Sequence, residues 1–154
     1  MSRFYISINK ITGEKVLPDF LPITSIGDSG LQNAFNRCIG LTGRISFPSL
    51  TSIGDSGLRY AFFRCTGLTG SISFPSLTSI SDFGLQYAFS RCTGLTGSIS
   101  FPSLTSIGIS GLQKAFYNCT GITEVHFKSS LSGNSQCTSS YMGCTNATVY
   151  FDLP

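Results

Sequence analysis

Charge is scarce in this chain. Lys, Arg, Asp and Glu make up 11% of its 154 residues, against roughly 25% in ordinary domains. The net charge of +3 is too small to argue for nucleic acid as a partner. Tryptophan is absent and histidine occurs once, as His126. One imidazole and no Cys-x-x-Cys pair exclude the usual zinc sets, so neither a metal nor a cofactor is expected. No apolar run reaches the roughly 18 residues that a membrane span requires. The opening MSRFYISINK lacks the apolar core of a secretory signal. The many serines occupy equivalent places, so none is set apart as a nucleophile by its neighbours. With no phosphate-binding loop either, there is no catalytic residue to name.

What the chain does have is repetition. Cys38, Cys65, Cys92 and Cys119 recur every 27 residues, each preceded by Ala-Phe and followed by Gly-Leu-Thr or Gly-Ile-Thr. A fixed period of this size marks a solenoid, in which each unit buries its apolar face only against its neighbours. The units run Pro22 to Phe47, Pro48 to Phe74, Pro75 to Phe101 and Pro102 to Phe127.

One unit, Pro75 to Phe101, stands for all. Leu85, Ala88, Phe89 and Cys92 fall at i, i+3, i+4 and i+7, which predicts a short helix with Asp82 as N-cap and Gly94 as left-handed C-cap. Ile99 and Phe101 alternate with Ser98 and Ser100, the pattern of a strand with one buried face. Pro102 ends it, and Ser103 to Ile107 returns the chain in extended form. Strands pair about 4.8 Å apart while helices need roughly 8 to 10 Å, so the expected stack curves with strands on its concave side.

The run L-x-x-I-G, A-F-x-x-C, G-L-T, I-x-F-P resembles the BspA-like leucine-rich repeats of bacterial and protozoal surface proteins. In one unit the matching residues are Leu50, Ile53, Ala61, Phe62, Cys65, Leu68, Ile72, Phe74 and Pro75, and the likeness covers about Ile23 to Phe151. The piece Gly54 to Tyr60 is longer than in that pattern. The resemblance implies an α/β leucine-rich-repeat solenoid: a curved right-handed stack with a parallel β-sheet on the concave side and short helices on the convex side. It also implies a ligand-binding or adhesive scaffold, at the cell surface or outside the cell, with no catalytic residues to carry over.

Residues 1–21 read as an N-terminal capping β-hairpin, 22–127 as four repeats, and 128–154 as a degenerate fifth repeat and C-terminal cap. In the hairpin, Phe4 to Ile8 and Lys15 to Leu17 are the strands; a rival alignment makes Ile11-Thr-Gly a decayed repeat strand. The recurring cysteines read as reduced core thiols, with Cys137 outside the ladder and a Cys137 to Cys144 bridge open to it in an oxidising compartment.

Repetition turns outward residues into ladders. On the concave face these are Arg44 and Ser46, Ser71 and Ser73, Ser98 and Ser100, Glu124 and His126, then Tyr150. On the convex face Arg59, Tyr60, Phe63, Arg64, Tyr87, Arg91 and Tyr117 have the composition of an interface, while Gln86 and Ser90 also lie off the buried stripe. Arg37, Arg64 and Arg91 are expected to be solvated or paired with Asp28, Asp55 and Asp82. Two readings of function follow. The chain is a non-enzymatic module that binds a protein or glycan ligand, or a structural subunit that packs with copies of itself, as a homo-oligomer, into a fibre, sheath or virion-like particle.

Overall fold

The computed structural model describes residues 7–8, 15–16 and 23–154. Among the described residues there are ten strands: β1 (Ser7–Ile8), β2 (Lys15–Val16), β3 (Ser25–Ile26), β4 (Leu41–Thr42), β5 (Ser52–Ile53), β6 (Ser79–Ile80), β7 (Thr96–Phe101), β8 (Ser106–Ile107), β9 (Gly121–Lys128) and β10 (Thr148–Leu153). Each full unit makes one coil with three sides.

The first side is the expected strand. β7, β9 and β10 form a parallel sheet in which Ser98 faces Glu124, Ser100 faces His126 and His126 faces Tyr150. Period-two alternation decides the faces: Ile99, Phe101, Val125 and Phe127 are buried, and the residues between them face out. The earlier coils continue this side through isolated bridges such as Ser73 to Ser100.

The second side is the return segment, which also forms a parallel sheet. β3, β5, β6 and β8 pair in strict register, Ser25 to Ser52 to Ser79 to Ser106. Threonine hydroxyls reinforce it: Thr51, Thr78 and Thr105 each donate through Oγ1 to the carbonyl of the equivalent threonine one coil earlier, at 2.9, 2.9 and 3.2 Å.

The third side corrects the expected helices. From Asp82 to Arg91, and in the equivalent stretches, the chain is a ribbon of turns and not a helix. Alternate amides close turns within the coil, as in Ala88 N–H to Leu85 O at 3.0 Å. The amides between them reach the next coil, as in Phe89 N–H to Ala115 O at 2.8 Å and Leu85 N–H to Gly111 O at 2.8 Å. Turning the chain this way puts three non-glycine residues per coil at positive φ, four residues apart: Phe83, Tyr87 and Arg91 in one coil, Ser56, Tyr60 and Arg64 in the one before. Each such residue costs roughly 1–2 kcal/mol, which the coil-to-coil hydrogen bonds offset. The described helices are one α-helical turn, α1 (Ser139–Met142), and a 3-10 turn (Ser129–Leu131).

Direct bonding on all sides removes the reason given for a strong curve. Core rings stack over similar ranges on the two sides, 5.0 to 5.7 Å under the turn ribbon and 5.2 to 6.0 Å under the strands. The faces are accordingly called the strand face and the turn face below. The core is this double file of phenylalanines with Leu, Ile and the small Ala61, Ala88 and Ala115 between them, each buried ring stabilising the stack by about 1.5–3 kcal/mol.

At one end β1 pairs antiparallel with β2, and β2 lies parallel to β4 with Lys15 opposite Leu41. The hairpin pairing is thus seen for residues 7–8 and 15–16; Phe4 to Ile6, Asn9 to Gly13 and Leu17 lie outside the described residues. At the other end the ribbon of the fourth coil bonds to the tail, with Lys114 and Phe116 donating to Tyr141 O and Met142 O. The Gln136 side chain accepts from Leu112 N–H at 3.1 Å where the repeat has run out of backbone to do so.

Candidate functional site

The strand face presents two rows. In one, Arg44 donates through Nη2 to Ser71 Oγ at 3.2 Å, and Ser98, Glu124 and Thr148 continue the row by strand register. Ser46, Ser73, Ser100, His126 and Tyr150 make the other. Its middle is flat and half-buried hydroxyl, and chemistry gathers at the C-terminal end.

There His126 stands between two carboxylates. Its Nδ1 lies 3.0 Å from Asp152 Oδ1, its Nε2 lies 3.2 Å from Glu124 Oε2, and its ring stacks on Tyr150 with centroids 4.9 Å apart. Hydrogen bonding to Asp152, reinforced by Glu124, holds the imidazole above its ordinary value. Sequence reading placed Glu124 beside His126 but missed Asp152. The alternation Thr148, Tyr150, Asp152 on the next strand is the signal that finds it.

On the turn face the expected aromatic ladder is shorter than three. Tyr60 and Tyr87 stack at 4.8 Å with 3° between their planes, and Phe63 meets Tyr60 edge-on at 5.6 Å. Tyr117 is not the next rung; Lys114 holds that position. Tyr117 instead lies under two cations, Lys114 Nζ at 5.2 Å and Arg91 at 6.0 Å from its centroid. Arg59 sits 5.7 Å from the centroids of both Tyr60 and Phe83. Gln86 and Ser90, read as outward, are buried, because the ribbon packs Ser90 between Phe63 and Tyr117 at the same repeat position.

Of the two alternatives for Arg37, Arg64 and Arg91, solvated or paired with the aspartates, the pairing is not seen. Asp28 Oδ1 accepts the Asp55 N–H at 2.9 Å, Asp55 Oδ1 the Asp82 N–H at 3.2 Å, and Asp82 Oδ1 the Ile109 N–H at 2.7 Å. Each carboxylate ties its coil to the next. Among the described residues the ion pairs within 4.0 Å are those of His126, so the row of three guanidiniums has no carboxylate counterpart.

All six cysteines are free, as the reading of reduced core thiols expects, and Cys137 and Cys144 are not bridged. Cys65, Cys92 and Cys119 donate through Sγ to the carbonyls of Phe35, Phe62 and Phe89 one coil back, at 3.0, 3.0 and 2.9 Å. Burial pushes the thiols of Cys65 and Cys119 up to about 12 and raises that of Cys92 as well, which makes them structural and unreactive. No helix among the described residues is long and apolar enough to cross a membrane.

A family model described as BspA type Leucine rich repeat region matches residues 24–149 in six copies. The chain belongs to this family. As a BspA-type repeat chain it is of a kind that serves in general for protein interaction. It is similar to a leucine-rich repeat protein from T. pallidum, at 22% identity over 98% of this chain and 80% of that one, with a TM-score of 0.47. It is also similar to a leucine-rich repeat protein from Bacteroides ovatus ATCC 8483, at 21% identity over 97% of this chain and 40% of that one, with a TM-score of 0.50. The latter likeness concerns the fold alone. No curated protein matches the chain.

Proposed function

We propose that this chain is a non-enzymatic interaction module that engages its partner, an acidic protein surface, through the turn face. The carrying observation is the row Arg37, Arg64 and Arg91, one coil apart, whose candidate counter-charges are occupied by backbone N–H groups of the next coil. Guanidiniums without a carboxylate partner among the described residues, beside a Tyr60 and Tyr87 stack, combine two residue types that dominate interface energetics. Their planar forks bind carboxylates in pairs of parallel hydrogen bonds. In this reading residues 1–21 and 128–154 close the ends of a stack formed by 22–127.

The test is retention on immobilised polyglutamate across a salt series. The wild type is expected to be retained and released by salt, and the triple variant Arg37→Gln, Arg64→Gln, Arg91→Gln to pass through. A control with the same change in net charge on the strand side, Arg44→Gln with Lys128→Glu, is expected to behave as wild type. Equal retention of both variants would sink the assignment to the turn face.

The second reading, a structural subunit that assembles with its own copies, draws on the strand face. Ser71, Ser73, Ser98 and Ser100 make a flat surface repeated from coil to coil, suited to close packing between copies. Molar mass in solution over a concentration series decides it: a monomer at every concentration removes this reading.

A further inference from the structure

We propose that the hollow at the first-unit end of the turn face binds a pyranose sugar bearing a carboxylate, such as a uronic acid residue of a glycan. The proposal rests on the turn face being the binding face, as argued above, but not on the partner being an acidic protein.

The hollow exists because the aromatic ladder stops. Tyr60 is covered on one side by Tyr87. On the other side the equivalent position is Asn33, and Asn36 stands where the later coils carry Phe63 and Tyr117. Two missing rings leave an open depression of about 490 Å³ lined by Gln32, Asn33, Asn36, Arg37 and Tyr60 among others, within the range of small-ligand sites. Among the described residues Tyr60 therefore has a ring stacked on one face only, with Phe63 meeting it edge-on and Arg59 5.7 Å from its centroid. An aromatic face carries partial negative charge and attracts the positively polarised C–H bonds on the flat side of a sugar.

Two polar atoms behind the lining have no partner. Asn36 donates through Nδ2 to Asn33 Oδ1 at 3.1 Å, which leaves its own Oδ1 a buried acceptor without a donor, and Arg59 Nε–H is a buried donor without an acceptor. A buried group left in this state costs about 1–3 kcal/mol. Each has less than 1 Å² of its own surface exposed, so neither is a direct ligand contact. The exposed Arg37 supplies a guanidinium fork for a carboxylate. An acidic peptide would use the fork without laying the flat C–H face of a ring on Tyr60.

The test titrates the full chain with methyl glucuronide, methyl glucoside and acetate, following the Tyr60 ring signals by NMR. Saturable binding of the glucuronide is expected, with the glucoside weaker by about tenfold and acetate without effect on Tyr60. The decisive variant is Asn33→Tyr, which extends the tyrosine stack into the hollow. Tyr60 and Tyr87 already hold this position at φ of 54° and 55°, beside 58° at Asn33, so the backbone there accommodates tyrosine, and the variant is expected to lose glucuronide binding. Arg64→Gln with Arg91→Gln should weaken polyglutamate retention and leave glucuronide binding intact. Three results overturn the proposal: no saturable glucuronide binding, undiminished binding by Asn33→Tyr, or equal shifts with acetate, which would make the hollow a plain anion site. Failure of the wild-type chain to be retained on polyglutamate, with glucuronide binding kept, would instead remove the acidic-protein reading alone.

Discussion

The carboxylate of Asp55 accepts the backbone N–H of Asp82 at 3.2 Å, one coil further along the stack. Asp28 does the same for Asp55 at 2.9 Å, so the residue at this position is both capped and capping. An aspartate here cannot be judged by net charge or by the nearest arginine. Its oxygen satisfies a donor that the start of a turn ribbon would otherwise leave open.

Removing one member should therefore act at the coil that follows. Asp82→Ala is expected to destabilise the fold by about 1 kcal/mol by orphaning the N–H of Ile109, and Asp82→Asn, which keeps an acceptor, to recover most of it. Denaturant midpoints of the three proteins check this. If Asn proved as damaging as Ala, the loss would lie in charge and not in the hydrogen bond.

Glycine makes a sharper contrast at one repeat position. A Cβ on Gly94 would stand 2.2 Å from Leu68 O, whereas on Gly40 it would meet nothing within 4 Å among the described residues. Neither has a positive φ, so the Gly-Leu-Thr word records a close approach between coils and not the left-handed cap expected of Gly94. Gly94→Ala should cost about 1–3 kcal/mol, and Gly40→Ala should stay within about 0.5 kcal/mol of the wild type. Thermal unfolding of the pair distinguishes crowding from a general intolerance of side chains.

The period, the stack and the inward faces of the strands were legible because each depends on spacing alone. Ile99 and Phe101 alternate, and they are buried. Leu85, Ala88, Phe89 and Cys92 are buried as well, yet the helix inferred from them is not there. A ribbon whose turns repeat every four residues buries the same i, i+3, i+4 and i+7 positions as a helix. The two differ in where alternate amides bond, which is a property of the neighbouring coil. Phe83, Tyr87 and Arg91 at positive φ carry no sequence mark of it, since glycine or asparagine would be the usual sign. The site residues fared likewise: Arg64 and Tyr87 were legible as outward, but the hollow beside Tyr60 required knowing that Asn33 and Asn36 interrupt a ladder of rings.

Thiol labelling gives an independent reading of the core. Cys38 is half-buried while Cys65, Cys92, Cys119, Cys137 and Cys144 are buried, and burial raises the thiols of Cys137 and Cys144 to about 12 and about 11. Since the thiolate is the reactive form, a thiol reagent near neutral pH should modify Cys38 quickly and the other five only on unfolding. Mass spectrometry of the labelled chain counts the adducts. A second fast adduct on the folded chain would mean that the end of the stack opens.

The His126 cluster predicts a pH dependence with a definite sign. Its folded value is raised above the ordinary 6.5, chiefly by the hydrogen bond to Asp152. The stabilisation is then fully present below about pH 6.5, where the unfolded imidazole is also protonated, and is lost as the pH rises through the folded value. The side chains of His126 and Asp152 are 22% and 51% exposed, so solvent screening holds the effect to about 0.5 kcal/mol. Asp152→Asn removes the charged acceptor and should flatten the stability difference between about pH 5.5 and pH 8.5. Glu124→Gln, a secondary contributor at 3.2 Å, should flatten it less. Urea midpoints at the two pH values report it, and an unchanged difference in Asp152→Asn would show that the imidazole is not held by this pair.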